Sequence, residues 1–217
     1  MTTLIDLSHP LEQNMPLFPR SRPIMISQES TLAREGYNEL TLCLSTHSGT
    51  HIDCGYHLLP GGSDTMTTPV DRFFGPGLVL DCRHRIPGNS ITREFLYQHE
   101  QFISSSEFLL LHTGWCQFWG DIRYFQGFPV LTPDAAKYLT GFTLKGIGSD
   151  TISFDPVDSH DLPVHHAILD AGMILVENLL NLDNLPETGF MFCCFPLKIQ
   201  KGDGSPVRAV GVVTSNK

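Results

Sequence analysis

Four side chains of the kinds that bind metal ions lie within eleven residues of this chain, at His47, His51, Asp53 and His57. Imidazole nitrogen and carboxylate oxygen are ligands that zinc accepts in folded proteins. All four positions are odd-numbered, so the side chains would lean toward one side of an extended chain. Glycines between them permit tight bends, which makes a polar loop that is merely rich in histidine the weaker interpretation. The spacing therefore predicts a metal site.

A second group of potential ligands lies more than a hundred residues further along the chain. Residues 163–171 are predicted to form a short helix, and residues 173–177 a strand that follows a glycine stop. From His165 to its end the helix is on the order of 10 Å long, and the strand to Glu177 is roughly 13 Å long. If the chain reverses at the glycine between them, His165 and Glu177 lie at the same end of the fold. The alternative for Glu177 is a solvated strand end, although four apolar residues precede it. We expect the neighbouring His166 to be a surface residue of the helix.

The first cluster resembles the signature of a known family. The pattern His-x-Gly-Thr-His-x-Asp-x-x-x-His, found here at residues 47–57, is similar to that of the cyclase-like metal-dependent hydrolases, which include bacterial kynurenine formamidases and isatin hydrolases. Weaker motifs continue the resemblance in order, at residues 5–11, 15–19, 74–77, 113–115, 148–155, 176–179 and 205–209. The chain departs from the family at Cys54-Gly55, where Ala-Pro is usual, and at His112, where Arg is usual.

The resemblance implies a swivelling β/β/α-type fold of packed sheets with peripheral helices. It also implies two ions that share Asp53. His47 and His51 would complete the ligands of the first ion, and His165 and Glu177 those of the second. Five ligands exceed the four that close a structural tetrahedral site, which fits two ions or one ion with a catalytic shell.

The ligand types also predict a reaction. A divalent ion lowers the pKa of water from ~15.7 to about 7 and polarises a carbonyl oxygen, so such a site favours hydrolysis. We predict a metal-dependent hydrolase that cleaves the C–N bond of a linear or cyclic amide, and the resemblance suggests N-formylkynurenine or isatin-like substrates. His57 is the predicted catalytic base, and its alternative role is that of an additional ligand or an outer-shell residue.

Two other functions and two metals stay open. A non-catalytic small-molecule or metal-binding protein on the same fold is the main alternative, and a structural zinc protein with a saturated site is the weaker one. Zinc is the first choice of ion because three imidazoles are available without a thiolate, and manganese is the second.

The composition limits the partners and the compartment. The formal charge is −9 with no long run of Lys or Arg, so neither nucleic acid nor an anionic membrane is an expected partner. The length of 217 residues, with 41% hydrophobic residues, predicts one domain over residues 1–217. The N-terminus does not resemble a secretory signal, and six scattered cysteines without a Cys-x-x-Cys pair predict reduced thiols in a cytoplasm.

Alternating and capped segments predict a mixed fold of strands and helices. Leucines alternate in residues 39–46, which predicts a strand that presents His47 at its end. Residues 77–82 and 108–112 are apolar runs typical of buried strands. Helices are predicted over residues 92–100 and 132–139, each with Thr as its N-cap. The sequence alone therefore indicates an α/β or mixed α+β fold.

The segment 115–129 is rich in aromatic residues but has no helical or strand period. Interfaces favour Trp, Tyr, Phe and Arg, so we expect a homo-oligomer, first of all a dimer. The alternative is a monomer in which this segment covers its own pocket. Several aromatic side chains are candidates for a substrate pocket, although a place in the core is the commoner case: Phe73, Phe74, Trp115, Phe118 and Trp119.

Overall fold

Thirteen strands, four α-helices and five short 3-10 helices make up the regular structure of residues 1–84 and 90–214, which a computed structural model describes. The strands are β1 Thr2–Asp6, β2 Met25–Ser30, β3 Glu39–Cys43, β4 His51–Asp53, β5 Phe74–Asp81, β6 Ser90–Ile91, β7 Phe108–His112, β8 Val130–Leu131, β9 Gly146–Ser149, β10 Ile174–Glu177, β11 Phe190–Cys193, β12 Gly204–Pro206 and β13 Val210–Thr214. The helices are α1 Arg93–Tyr97, α2 Glu100–Ser104, α3 Pro133–Leu139 and α4 Pro163–Asp170.

Nine of these strands form one mixed sheet in the order β1-β13-β11-β5-β7-β9-β10-β4-β12. The four central strands β5, β7, β9 and β10 are parallel, and the flanking strands pair antiparallel. All five residues of β7 are buried, as expected for an apolar run in the centre of a parallel sheet. The remaining strands form two small pairs, β2 with β3 and β6 with β8.

The helices pack against one face of the sheet. Leu96 of α1, Leu139 of α3 and Ile168 of α4 join one buried cluster with the strands. The predicted N-caps are confirmed, because the side chain of Thr92 accepts a hydrogen bond from the Phe95 amide and Thr132 caps α3 in the same way. The opposite face of the sheet forms a second buried cluster.

The strand predicted over residues 39–46 is shorter than expected and has a different role. β3 ends at Cys43 and pairs only with β2, and His47 lies in the turn that follows. Leu40 and Leu42 alternate as predicted, but both are more than half exposed, because β2 and β3 form a ribbon apart from the large sheet. The strand that carries His51 and Asp53 is β4.

The prediction of a mixed α/β fold with peripheral helices is confirmed. The helix predicted over residues 163–171 is α4, and the chain then reverses at Gly172, which has a φ of 76°. All six cysteines are free thiols. In residues 1–84 and 90–214, no helix is long and apolar enough to cross a membrane.

Candidate metal centre

Three of the five predicted ligands are placed by one pair of strands. β4 carries His51 and Asp53 on the same face, because side chains two residues apart point to the same side of a strand. Ile52 between them points into the buried cluster on the opposite face. β10 runs antiparallel to β4 and pairs Glu177 with His51. The two carboxylates and one imidazole therefore meet at one end of the sheet.

The fourth predicted ligand lies on α4, as the predicted reversal of the chain requires. His165 is buried on the first turn of the helix, and its Nε2 lies 3.1 Å from Glu177 Oε1 and 3.7 Å from Asp53 Oδ2. The neighbouring His166 points away and is exposed. The structure thus brings His165 to the predicted ligands of β4 and β10.

His47 and His57 reach the site from outside the strand. His47 Nδ1 lies 2.6 Å from Asp53 Oδ1, and its ring centre is 4.2 Å from that of His57. Within residues 47–57 the strand covers residues 51–53, since His47 lies in a turn and His57 in a 3-10 helix over Gly55–His57. The shared odd parity therefore explains two of the four side chains, and backbone bends bring in the others.

The donor and acceptor pattern of the inner histidines fits a cation. His51 Nδ1 lies 2.8 Å from the Gly49 carbonyl, to which it must donate, so Nε2 carries a lone pair. That buried Nε2 lies 3.4 Å from both Asp53 Oδ1 and Glu177 Oε2 and has no hydrogen-bond partner among the described residues. A lone pair that faces two carboxylate oxygens is unfavourable unless a cation or a proton lies between them.

His165 shows the same arrangement. Its Nδ1 lies 2.6 Å from Asp155 Oδ2, and Asp155 also accepts hydrogen bonds from the backbone of α4. This leaves Nε2 as the nitrogen that faces Glu177 and Asp53. A carboxylate behind a histidine is the usual support of a metal ligand. The residues present therefore fit a divalent ion.

Two sets of three side chains bring one ligand atom each to within 4.8 Å of one another. One set is His47, Asp53 and His57, and the other is His51, Asp53 and Glu177. Asp53 belongs to both sets, as the resemblance implies. The grouping differs from the implied one in placing His57 with His47 and His51 with Glu177, so the structure also offers His57 as a ligand.

Without a cation, the site holds protons. Burial lowers the pKa of His47, but the carboxylates of Asp53 and Asp203 outweigh it and raise the pKa to about 10. Burial likewise opposes the carboxylates around His165, which raise its pKa to about 10. Burial raises the pKa of Asp53, and the adjacent imidazoles reverse this effect and hold it well below its usual range. The buried carboxylates of Asp53, Asp155 and Glu177 therefore require positive charge nearby, which protons or metal ions can supply.

A cavity of about 300 Å³ lies over these side chains. Apart from the predicted site residues, it is lined by Phe18, Ser21, Ser45, Ile152, Ser153 and Leu162. The wall is therefore apolar with three hydroxyl groups. None of the aromatic side chains considered for a pocket lines it: Phe73 is a core residue, and His112 lines a separate polar cavity with Asp81 and Arg83.

Sequence reasoning missed several residues that support the ligands. Asp155 holds His165, and Asp203 lies 3.0 Å from His47 Nε2. Asn178 donates to the Gly49 carbonyl, which also accepts from His51. Asp155 ends a motif that carries the family resemblance, which was a usable signal. Asp203 is separated from His47 by more than 150 residues and has no local pattern.

Comparisons with known proteins show the family of this chain. A family model described as "Putative cyclase" matches residues 5–156. Kynurenine formamidase of Salinibacter ruber is 34% identical over 95% of this chain and 96% of its own, and that of Bacillus cereus is 32% identical over 95% of each. The crystal structure of an isatin hydrolase bound to the product analogue thioisatinate superposes with a TM-score of 0.89 at 26% identity, over 99% of this chain and 93% of that one.

Proposed function

The chain belongs to the cyclase family of metal-dependent hydrolases, and from this premise we propose that it hydrolyses the formamide C–N bond of N-formylkynurenine or a similar aryl formamide. It is a metal-dependent hydrolase of amide C–N bonds. The observation that carries the proposal is the buried Nε2 of His51, which faces two carboxylate oxygens inside the cavity. Opening of a cyclic amide such as isatin is the second candidate, which the structural likeness to an isatin hydrolase favours.

The side chains divide the work of such a reaction. His47, His51, Asp53, His165 and Glu177 would hold one or two divalent ions. A divalent ion supplies a water of lowered pKa and polarises a carbonyl oxygen. We assign the apolar wall of Phe18, Ile152 and Leu162 to the aryl ring of the substrate.

His57 would move the proton. Its side chain is 28% exposed at the edge of the cavity, and burial lowers its pKa below the usual value. A neutral imidazole in this position accepts a proton from water and returns it to the leaving nitrogen. The alternative, a role as ligand beside His47 and Asp53, predicts loss of metal when His57 is removed.

The test compares two neighbouring histidines of α4. Wild-type protein is assayed for release of formate from N-formylkynurenine and for opening of isatin, before and after chelation. We expect activity to vanish on chelation and to return with Zn²⁺ or Mn²⁺. His165→Ala should abolish activity and metal binding, whereas His166→Ala, on the exposed side of the helix, should preserve both. Activity that survives complete metal removal would contradict the proposal.

Zinc is the proposed ion, because three imidazoles and two carboxylates without a thiolate suit it, and manganese is the alternative. Elemental analysis of protein purified without added metal distinguishes the two. Less than about one equivalent of either ion per subunit would count against the site. We also propose a cytoplasmic location, which the six free thiols support.

We further propose that the protein is a homodimer that associates through the ribbon of β2 and β3. A two-stranded ribbon is only marginally stable alone, and this one exposes Met25, Leu40 and Leu42 by more than half. The aromatic segment 115–129 is the poorer candidate, because Tyr124 and the neighbouring rings pack into a cluster of their own.

The mass in solution tests this proposal. Light scattering at micromolar concentration should give twice the subunit mass of 24.2 kDa. Leu42→Glu should shift the mass toward the monomer, and Gln101→Glu, at an exposed position of α2 outside the ribbon, is the matched control for added charge. A wild-type mass near 24 kDa would refute the dimer.

A further inference from the structure

Asp203 lies beside the metal cluster although it is distant from it in sequence. It directly precedes β12, which pairs with β4 and places Gly204 opposite Asp53. The Cys54 amide donates to the Asp203 carbonyl over 2.8 Å, so the backbone of Asp203 is fixed next to the cluster. This pairing aims its carboxylate at the outer histidines.

The two oxygens of this carboxylate have separate partners. Oδ1 accepts a hydrogen bond of 2.9 Å from the hydroxyl of Thr46. Oδ2 lies 3.0 Å from His47 Nε2 and 3.6 Å from His57 Nδ1. One oxygen is therefore held by the residue next to His47, and the other lies between the two imidazoles.

This contact sets which nitrogen His47 offers to an ion. His47 Nε2 faces Asp203, and Nδ1 faces Asp53 Oδ1 at 2.6 Å, so a neutral ring that donates from Nε2 to Asp203 presents Nδ1 to an ion. His51 and His165 are reversed, since each donates from Nδ1 and turns Nε2 to the carboxylates. The ring of His47 thus depends on Asp203 for its orientation.

The backbone at β12 is shaped to admit this orientation. A Cβ atom at Gly204 would lie 2.9 Å from His47 Cε1 and 2.5 Å from the Ile52 carbonyl oxygen. The ring of His47 therefore lies directly against the backbone that follows Asp203. Glycine at this position allows both the strand pairing and the close approach of the ring.

We propose that Asp203, held by Thr46, is a positioning residue that orients His47 toward the ion and His57 toward the substrate. A carboxylate that accepts the second N–H of a ligand histidine fixes its tautomer and raises its basicity. The proposal rests on the proposed metal-dependent hydrolysis and adds to it the residue that fixes the outer histidines.

The experiment measures metal affinity and turnover separately. Asp203→Ala removes the contact, Thr46→Val removes the hydroxyl that holds the carboxylate, and Thr46→Ser restores that hydroxyl. Metal affinity is measured by competition with a chromophoric chelator using Zn²⁺ alone, and kcat and KM are measured on N-formylkynurenine. Asp134→Asn, an exposed carboxylate of α3, controls for the loss of one negative charge.

We expect Asp203→Ala to weaken Zn²⁺ binding by about 10–100-fold and to lower kcat more than it raises KM. Thr46→Val should change both in the same direction by a smaller factor, and Thr46→Ser should match the wild type. Wild-type affinity and kcat in Asp203→Ala, with or without a lower melting temperature, would overturn the proposal. A wild-type protein that binds no Zn²⁺ would instead overturn the proposed function, and this proposal with it.

Discussion

The inner and outer halves of the candidate metal centre differ in burial and in support. The inner half consists of His51, Asp53, His165 and Glu177, whose side chains are at most 7% exposed. The outer half consists of His47, His57 and Asp203, whose side chains are 20%, 28% and 35% exposed. The inner half lies on β4, β10 and α4, whereas the outer half lies on turns, on a 3-10 helix and beside the short strand β12.

This difference suits the two halves to different tasks, metal binding and proton transfer. Rigid and buried elements hold charged ligands at fixed distances, and this is what tight metal binding requires. Proton transfer requires contact with water and with the substrate, which the more exposed turns provide. We therefore expect changes in the inner half to remove the metal, whereas loss of His57 from the outer half should affect turnover first.

The largest effect is expected from Asp53→Asn. Asp53 is the only residue that belongs to both sets of potential ligands, and it is almost fully buried. The loss should exceed the 10–100-fold change typical of an outer-shell residue, in both metal affinity and activity. Equilibrium dialysis with elemental analysis measures it, and circular dichroism checks the fold, because breaking a buried charge pair is destabilising. Full metal content in Asp53→Asn would contradict the assignment of metal binding to the inner half.

His57→Ala should affect the reaction without removing the metal. Loss of a general base lowers kcat by about 10²–10⁴-fold, whereas the inner ligands remain intact. Metal content and kcat are measured on the same preparation. His160→Ala, an exposed histidine of a loop, is the control. If His57→Ala loses metal together with activity, His57 is a ligand in addition to His47.

An effect of intermediate size is expected in the number of protons that the histidines release when metal binds. In the metal-free protein the pKa values of His47 and His165 are raised to about 10. Their protonation therefore stabilises the metal-free fold fully below pH 6.5, and this contribution is lost as the pH rises through about 10. At pH 8 metal binding should release about two protons per subunit.

Calorimetry in two buffers of different ionisation enthalpy counts these protons. Because one of the two histidines lies in each half, His47→Ala should reduce the number by about one and leave the contribution of His165. Binding without proton release would show that neither imidazole exchanges a proton for the ion.

The sequence predicted the inner half better than the outer half. His51 and Asp53 share a strand face, and the spacing of His165 and Glu177 follows from a helix, a turn and a strand, so local rules suffice. Asp203 approaches His47 only because β12 pairs with β4. Such a pairing between distant segments leaves no signal in the spacing of either one.

The same limit explains the ribbon of β2 and β3. Alternation at Leu40 and Leu42 correctly predicted a strand, because it reflects backbone periodicity. It gave no indication that the strand would leave the large sheet, since the choice of partner depends on the whole chain. The buried run of β7 was predicted with its correct bounds, because a central parallel strand is apolar on both faces.

The smallest effect is expected from Tyr124→Phe, which tests how firmly the inner half is held. The buried hydroxyl of Tyr124 donates to Asn178 Oδ1 over 2.8 Å, and Asn178 Nδ2 donates to the Gly49 carbonyl, which accepts from His51. Removing the hydroxyl leaves a buried acceptor without its donor and should cost about 1–3 kcal/mol of unfolding free energy. His51 keeps its own bond to Gly49, so metal affinity should fall by less than about tenfold.

Urea denaturation of the metal-free protein and chelator competition measure the two quantities for Tyr124→Phe. Tyr97→Phe, at a position that is 65% exposed, is the matched control and should change neither. A loss of affinity as large as that of Asp53→Asn would mean that the inner ligands depend on a hydrogen-bond chain that reaches the aromatic segment. The hydrogen-bond chain, rather than the pairing of β4 with β10, would then hold the inner ligands in place, because the strand pairing is intact in the variant.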